Sequence, residues 1–435
     1  MLSFQYLVIF FILIFIGIFA SIKLLYPFWN LQPVVHPYDF MRISFANYYF
    51  HKGNSYILRP DMGILASIDD SRKRNKFCTF YDVSFSLYSD IDDSMRNNIC
   101  LFLQEFFIRD SSDSDSDTLF VFFPEHLHAY FSGHLFPCAF SYVFSPYESS
   151  TLDKSSTLDK SSTLDKSSTI DALVSSRPVD FLNEHLYFVD FLTIRNIVKY
   201  DLIKHRLLQT HFIRSCILDP KIRACIFRTE DVPASGIVPF LHFTSSVYIL
   251  PQTLPPKPLP SGMRLVFLQD KFSHIWTDII VPRLKERFST HCLASIGSII
   301  ELAKARILYI GILMESKADE DIVYAVYIFR DSRTVYSLDS LAEKEAALLH
   351  FIGSIDWTNS IELFLHGFLY CLKEILTANP KVFRYLMVDD ISDNLRLMDN
   401  FIGIDKNVYD KHPVYYYSYN IILPSVDGIN SIFIL

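Results

Sequence analysis

The chain has 435 residues, half of them hydrophobic, with 39 Phe and 25 Tyr, which is apolar material for two domain-sized cores. A formal net charge of -8 excludes a general nucleic-acid binder, which needs a basic face. With only 12 Gly and no G-x-G-x-x-G or Walker-type run, the usual glycine-rich phosphate loops are excluded as well.

Leu2 to Ile22 carries no charged side chain. About 20 apolar residues cross the hydrocarbon layer as a helix, so a single-pass transmembrane anchor is expected over residues 2–23. A cleaved signal peptide is the rival, but no basic region precedes the run. Lys23, Arg42 and Lys52 follow it, and the positive-inside rule then puts the remaining chain in the cytosol. If the segment does not span, the expected location is cytoplasmic. Cys78, Cys100, Cys138, Cys216, Cys225, Cys292 and Cys371 are scattered without a C-x-x-C, as for free thiols in a reducing compartment.

Phe77 to Ser89 reads as strand and loop, and Met95 to Ile108 has helical spacing of Ile99, Phe102, Leu103 and Phe106. The run from Ser111 to Asp117 is an acidic surface loop, and Pro124 can open a helix at Glu125. Ser150-Thr151-Leu152-Asp153-Lys154-Ser155 recurs at Ser156 and Ser162, with a remnant at Ser168. Its composition buries no core, so residues 149–171 read as a solvated insert. Leu186 to Ile194 suits a buried strand, Leu202 to Ile217 a helix, and Ala224 to Phe227 a strand, which together make an α/β unit. The proline-rich Pro251 to Pro260 reads as an extended connection. A similar plan follows: strands at Val323 to Phe329 and Thr334 to Leu338, a helix from Ser360 to Ala378, a strand at Val382 to Val388, a helix at Asp393 to Phe401, and a strand at Val414 to Ile422.

Several segments, in order, resemble the N-myristoyltransferases. Tyr26-Pro27-Phe28-Trp29-Asn30-Leu31-Gln32-Pro33-Val34 resembles the family's Y-x-F-W-x-x-Q-P-V signature. Phe122-Phe123-Pro124-Glu125-His126-Leu127 is similar to its F-x-F-D-Y-S-P-E-F-L stretch, and Val189-Asp190-Phe191-Leu192-Thr193-Ile194 to its I-N-F-L-C-V strand. Val382 to Gly403 resembles V-F-N-A-L-D-L-M…F-G-I-G-D-G, and Tyr416-Tyr417-Ser418-Tyr419-Asn420 resembles Y-Y-L-Y-N. The resemblance implies an α/β (α+β) fold of two fused GNAT-like acyltransferase halves: an acyl-CoA-binding half at 24–250 and a peptide-binding half at 251–435.

It also implies chemistry: transfer of a myristoyl (tetradecanoyl) group from acyl-CoA to an N-terminal glycine, by a monomer without metal or a permanently bound cofactor. The backbone amides of Phe191 and Leu192 would form the oxyanion hole, where oriented N–H groups lower the acyl-transfer barrier. Read without the resemblance, the same residues are an ordinary core strand. Tyr26, Pro27, Phe28 and Trp29 would cover the acyl-CoA; by themselves they read equally as an interfacial aromatic belt. Thr193 and Ile194 would line the same site. Lys199, Tyr200, Asp201, Leu202, Ile203 and Lys204 would meet the CoA phosphates at a helix N-terminus. Here the family's R-S-K-R-x-A is eroded: a basic residue remains at the first position, the Lys-Arg pair is lost, and Asp201 repels phosphate unless it caps the helix. The terminal carboxylate of Leu435 would be the base that deprotonates the glycine ammonium; the plain alternatives are a packed or frayed end. Thr229 and His242 would contact the peptide, although a lone Thr or His is commonly structural. Asp113, Asp115 and Asp117 could attract basic residues downstream of a substrate glycine, although a plain solvated loop is the simpler reading. His126 and His128 do not share a helix face, so no metal site is expected. The family's G-D-G is lost at Ile404-Asp405-Lys406. A relative that binds acyl-CoA or lipid without transfer, and an interaction protein that uses the fold as scaffold, stand beside the enzyme reading.

Overall fold

The computed structural model describes residues 2–25, 29, 32–36, 56–57, 80, 82–107, 118–144, 169–195, 200–219, 221–230, 234–251, 258–317, 320–336, 346–379, 383–400 and 408–435. The acidic run, the repeats, most of the proline-rich connection, Tyr26 to Phe28, Lys199 and the segment at Ile404 fall outside them.

The N-terminal segment is α1 (Leu2–Leu25). Its side chains from Tyr6 to Ile18 are described without a break and are exposed. Among the described residues no helix is long and apolar enough to cross a membrane. The expected single-pass anchor, and the membrane-anchored placement drawn from it, are corrected accordingly.

β1 (Tyr56–Ile57) pairs with β16 (Ile421–Ile422), and the other strands join one 15-stranded sheet. Before residue 250 these are β2 (Ser84–Leu87), β3 (Thr118–Phe120), β4 (Ala139–Phe144), β5 (Ile170–Phe181), β6 (Glu184–Ile194), β7 (Cys225–Glu230) and β8 (Leu241–Ile249). After it come β9 (Met263–Phe267), β10 (Thr290–Leu293), β11 (Leu308–Lys317), β12 (Glu320–Tyr336), β13 (Ala346–Asp356), β14 (Phe383–Asp389), β15 (Asp410–Tyr419) and β17 (Ser431–Ile434). The helices after α1 are α2 (Asp93–Phe106), α3 (Pro124–Phe131), α4 (Tyr200–Leu218), α5 (Val281–Arg287), α6 (Ile296–Lys304), α7 (Ile361–Ala378) and α8 (Asn394–Met398).

Two units share one plan. In β6–α4–β7 and in β13–α7–β14 a helix carries the chain between two parallel strands, the connection that parallel pairing demands. β7 is then flanked by β15 from the end of the chain, and β14 by β8 from the first 250 residues. β15 and β8 pair with each other, so the two units share one continuous mixed α/β sheet. β17 adds parallel to β10, which pairs with β5.

Local sequence explains the boundaries. The Asp92 carboxylate accepts the Met95 amide at 2.7 Å and starts α2. Ser360 caps α7 by accepting from Leu363, and Asn379 follows its last turn. β13 is buried at every position, which accounts for its lack of apolar–polar alternation. The strands expected separately at Val323–Phe329 and Thr334–Leu338 are one long strand, β12. Its pairing with β13 shifts between Asp331 and Val335, and Arg333, at φ 61°, turns the backbone there. Gly133 and Gly297 touch backbone to backbone, an approach that a Cβ on either would block, so α3 ends directly against α6.

Candidate functional site

β6 and β7 pair only through Tyr187–Val189 and Cys225–Phe227, and beyond these residues the two strands run on unpaired with each other. Just past the split, β6 bulges. Leu173 pairs with Thr193 and Ser175 with Asp190, so Phe191 and Leu192 together face the single residue Val174. Phe191 sits at φ 51°, in the left-handed region that costs a non-glycine residue about 1–2 kcal/mol. Packing holds it there: its ring lies 5.2, 5.3, 5.6 and 6.1 Å from those of Phe107, Phe122, Tyr130 and Phe131. The bulge lifts these peptide groups out of the regular ladder, as a backbone anion site requires.

The residue before it carries charge. Asp190 accepts the Phe191 amide on Oδ1 at 2.9 Å, and its Oδ2 pairs with Arg177 Nη2 at 3.1 Å. The Arg177 side chain is 0% exposed, and its guanidinium lies over the rings of Tyr130 and Phe188 at 5.3 and 5.4 Å. The Ser175 hydroxyl donates to the Asp190 carbonyl oxygen. Arg330 lies 5.7 Å from the same Tyr130 ring, and burial holds its guanidinium below the ordinary range.

On the other face of β6 and β7 lies an apolar cavity of about 30 Å³, lined by Trp29, Tyr187, Val189, Phe212, Phe227 and Tyr419 among others. Trp29 is buried and stacks on Phe227, with centroids 6.1 Å apart and planes 7° apart. The wall also carries Ser176, Ser215 and His211. His211 shares a 2.9 Å hydrogen bond with Ser141 through Nδ1, while its Nε2 and the Ser176 and Ser215 hydroxyls are buried without a partner among the described residues. Burial holds the His211 imidazole down to about 3, so it is neutral. A larger groove of about 530 Å³ opens between β9, β11, α6 and α7, and none of the residues singled out by sequence line it.

The first and last motifs meet here. Gln32 is hydrogen-bonded to Tyr419 and donates to Gln209 of α4 at 3.4 Å, while the Asn420 amide donates to the Pro33 carbonyl at 2.7 Å. Asn420, itself at φ 62°, also donates its side-chain amide to the Arg223 carbonyl. Segments nearly the whole chain apart thus close around the cavity.

The remaining sequence-derived residues divide. Thr229 on β7 and His242 on β8 flank Tyr415 from either side of β15, and the His242 and Tyr415 rings lie 6.3 Å apart. Leu435 is buried, 5% exposed, but its cluster contains Tyr416, Leu241 and Phe243, whose side chains alternate to the opposite face from Thr229 and His242. Leu192 and Ile194 pack with Ile203 and Leu207 of α4, and Thr193 is buried, its hydroxyl donating to the Phe191 carbonyl at 3.3 Å. At the start of α4, Tyr200 and Leu202 are exposed and Lys204 pairs with Asp201 at 3.5 Å. Burial and the neighbouring Lys204 hold His205 down to about 4. The Nδ1 atoms of His126 and His128 contact the Phe123 amide and the Tyr88 hydroxyl, and His134 contacts the Tyr130 carbonyl through Nε2. Sequence reasoning passed over Arg177, Asp190 and His211; the available signal was an ionisable residue inside an otherwise apolar strand or helix.

No protein-family model matches the sequence, and no curated protein matches it. Solved structures do. Saccharomyces cerevisiae N-myristoyltransferase with bound myristoyl-CoA superposes at a TM-score of 0.63, with 11% identity over 92% of this chain and 94% of that one. The yeast enzyme with bound myristoyl-CoA and inhibitors gives 0.62, at 12% identity over 94% of each chain. The chain has the N-myristoyltransferase fold. At this identity the likeness is one of fold, and it agrees with the family resemblance carried by the motifs.

Proposed function

We propose that the chain is an acyl-CoA-dependent acyltransferase that moves a myristoyl group onto the N-terminal glycine of a peptide or protein. The observation that carries this reading is the bulge at Phe191 and Leu192, set at the split between β6 and β7. A thioester carbonyl placed there would meet backbone donors, and each donor aimed at a developing oxyanion is worth roughly 3 kcal/mol of barrier. The glycine amine attacks the thioester carbon, negative charge gathers on the carbonyl oxygen, and the CoA thiolate leaves. The Leu435 carboxylate is the candidate acceptor of the ammonium proton; Thr229 and His242 face the other side of the sheet and take no part in that step. The Trp29 cavity is the candidate acyl site. At about 30 Å³ it is smaller than a fatty chain, so its lining must part as the chain enters. This makes Trp29 a lid rather than a fixed wall.

Two observations favour a second reading, an acyl-CoA binder without transfer. Lys204, a candidate phosphate contact, is paired with Asp201, and the Phe191 amide is already engaged. Incubation of the purified protein with myristoyl-CoA and a Gly-initiated peptide, followed by mass spectrometry, separates them. Acylated peptide is expected, and deletion of Leu435 is expected to cut turnover at least a hundredfold. Thermal stabilisation by myristoyl-CoA without product would establish the binder; neither product nor stabilisation would refute both.

A further inference from the structure

Phe191 offers the amide best placed for an oxyanion, yet that N–H is donated to a carboxylate one residue away in sequence. A carboxylate oxygen is a close stand-in for the oxyanion of a tetrahedral intermediate: it carries negative charge and accepts from a backbone donor at the same distance. While Asp190 holds the amide, an incoming carbonyl oxygen gains nothing there and also faces a like charge.

The carboxylate has somewhere else to go. It already touches Arg177 through Oδ2, and the Nε and Nη1 atoms of Arg177 are buried without a partner among the described residues. A small rotation of the Asp190 side chain would place both its oxygens on the guanidinium fork, the favoured bidentate arrangement, and free the Phe191 amide. Arg177 is held between the rings of Tyr130 and Phe188, so it is the fixed member of the pair. Tyr130 also touches Phe191, at 5.6 Å, so the guanidinium and the bulge share one wall.

We propose that the Asp190 carboxylate is the resting occupant of the Phe191 amide, and that acyl transfer begins only when Asp190 moves onto Arg177 and yields that N–H to the thioester oxygen. Asp190 is then a positioning residue that sets the resting rate through Phe191. The inference rests on the acyl-CoA reading above.

The test uses the full chain and myristoyl-CoA labelled with ¹³C at the thioester carbonyl, read by isotope-edited infrared spectroscopy and by acyl transfer to a Gly-initiated peptide. In Asp190→Ala, which removes both the charge and the acceptor of the Phe191 N–H, the bound carbonyl band is expected at lower frequency than in the native protein, and turnover at least tenfold higher. Asp190→Ala leaves Arg177 without its counter-ion, so the double variant Asp190→Ala/Arg177→Met, which removes both charges, is measured in parallel and is expected to show the same band shift. An unchanged band with turnover within twofold of native, or a fall in turnover in a variant whose thermal midpoint is native-like, overturns the inference while leaving acyl-CoA binding intact. No binding of myristoyl-CoA by any of the proteins overturns the acyl-CoA reading, and this inference with it.

Discussion

Phe191 carries two opposed energies, and substitution can separate them. Its side chain lies among the rings of Phe107, Phe122, Tyr130 and Phe131, and Phe→Ala at such a site costs about 3–5 kcal/mol. Its backbone, at φ 51°, costs about 1–2 kcal/mol for any residue with a Cβ. Phe191→Ala loses the first and keeps the second. Phe191→Gly loses the first, relieves the second, and loses about 0.5–1 kcal/mol to the extra freedom of glycine in the unfolded chain. The glycine variant is therefore expected to be more stable than the alanine variant, by about 0.5–1 kcal/mol, although glycine in a strand is ordinarily the less stable of the two. Val189, in the same strand, is not among the positive-φ residues, so Val189→Gly should fall below Val189→Ala by about the ordinary 0.5–1 kcal/mol. Urea unfolding of the four variants measures both differences. If Phe191→Ala proves as stable as Phe191→Gly, the backbone is not strained there and the account of the bulge is wrong.

Histidines supply a second prediction. Burial, the larger cause for both, holds His134 down to about 4 and His211 down to about 3, against about 6.5 when unfolded. Above pH 6.5 both states are neutral and the two residues carry no penalty. As pH falls from 6.5 toward 4 the unfolded chain takes up protons that the folded chain refuses, so stability is lost, on the order of 2 kcal/mol for each residue at pH 5. Urea midpoints at pH 7.5 and pH 5 measure this, and His211→Asn should lessen the drop by about 2 kcal/mol, with His205 among the groups that contribute the rest. A third concerns the cavity wall: Ser176→Ala and Ser215→Ala each delete a buried hydroxyl without a partner, so each should change stability by less than about 1 kcal/mol or raise it. A loss above about 2 kcal/mol in a melting experiment would mean that those hydroxyls do have partners.

Much of the framework was legible because its signals are local. The helical spacing of Leu202 to Ile217 and of Ser360 to Ala378 marked both crossover helices within two residues, and apolar runs marked β6 and β14. Other features were not legible, for particular reasons. β13 is buried on both faces, so it shows no alternation. β12 reads as two strands because the turn at Arg333 interrupts its pattern without ending its pairing. The exchange of β8 and β15 between the two units leaves no periodic trace, since it depends on which strand edges meet. In the site, Phe191 and Leu192 could be singled out only through the family motif, because nothing in an apolar dipeptide announces a bulge. Trp29 and Gln32 meeting Phe227, Tyr419 and Gln209 is likewise a tertiary fact.

The residues that depart from the family pattern carry the most information about this chain. The same kind of change occurs at two places where an acyl-CoA would need positive potential or free donors. Asp201 stands in the first turn of α4 and holds Lys204, and Asp190 holds the Phe191 amide. The pairs differ in strength. The Asp201 side chain is 79% exposed, and such a surface pair is worth at most about 1 kcal/mol, which a phosphate group can outbid. Asp190 is 22% exposed against a fully buried Arg177, where desolvation makes the arrangement harder to disturb. Phosphate affinity and carbonyl activation are therefore separable in this chain. Neutralising Asp201 should act on how tightly CoA is held, while neutralising Asp190 should act on how fast the thioester reacts once bound. Under the proposed function, these two carboxylates together would make a protein that holds its acyl-CoA and delays the chemistry.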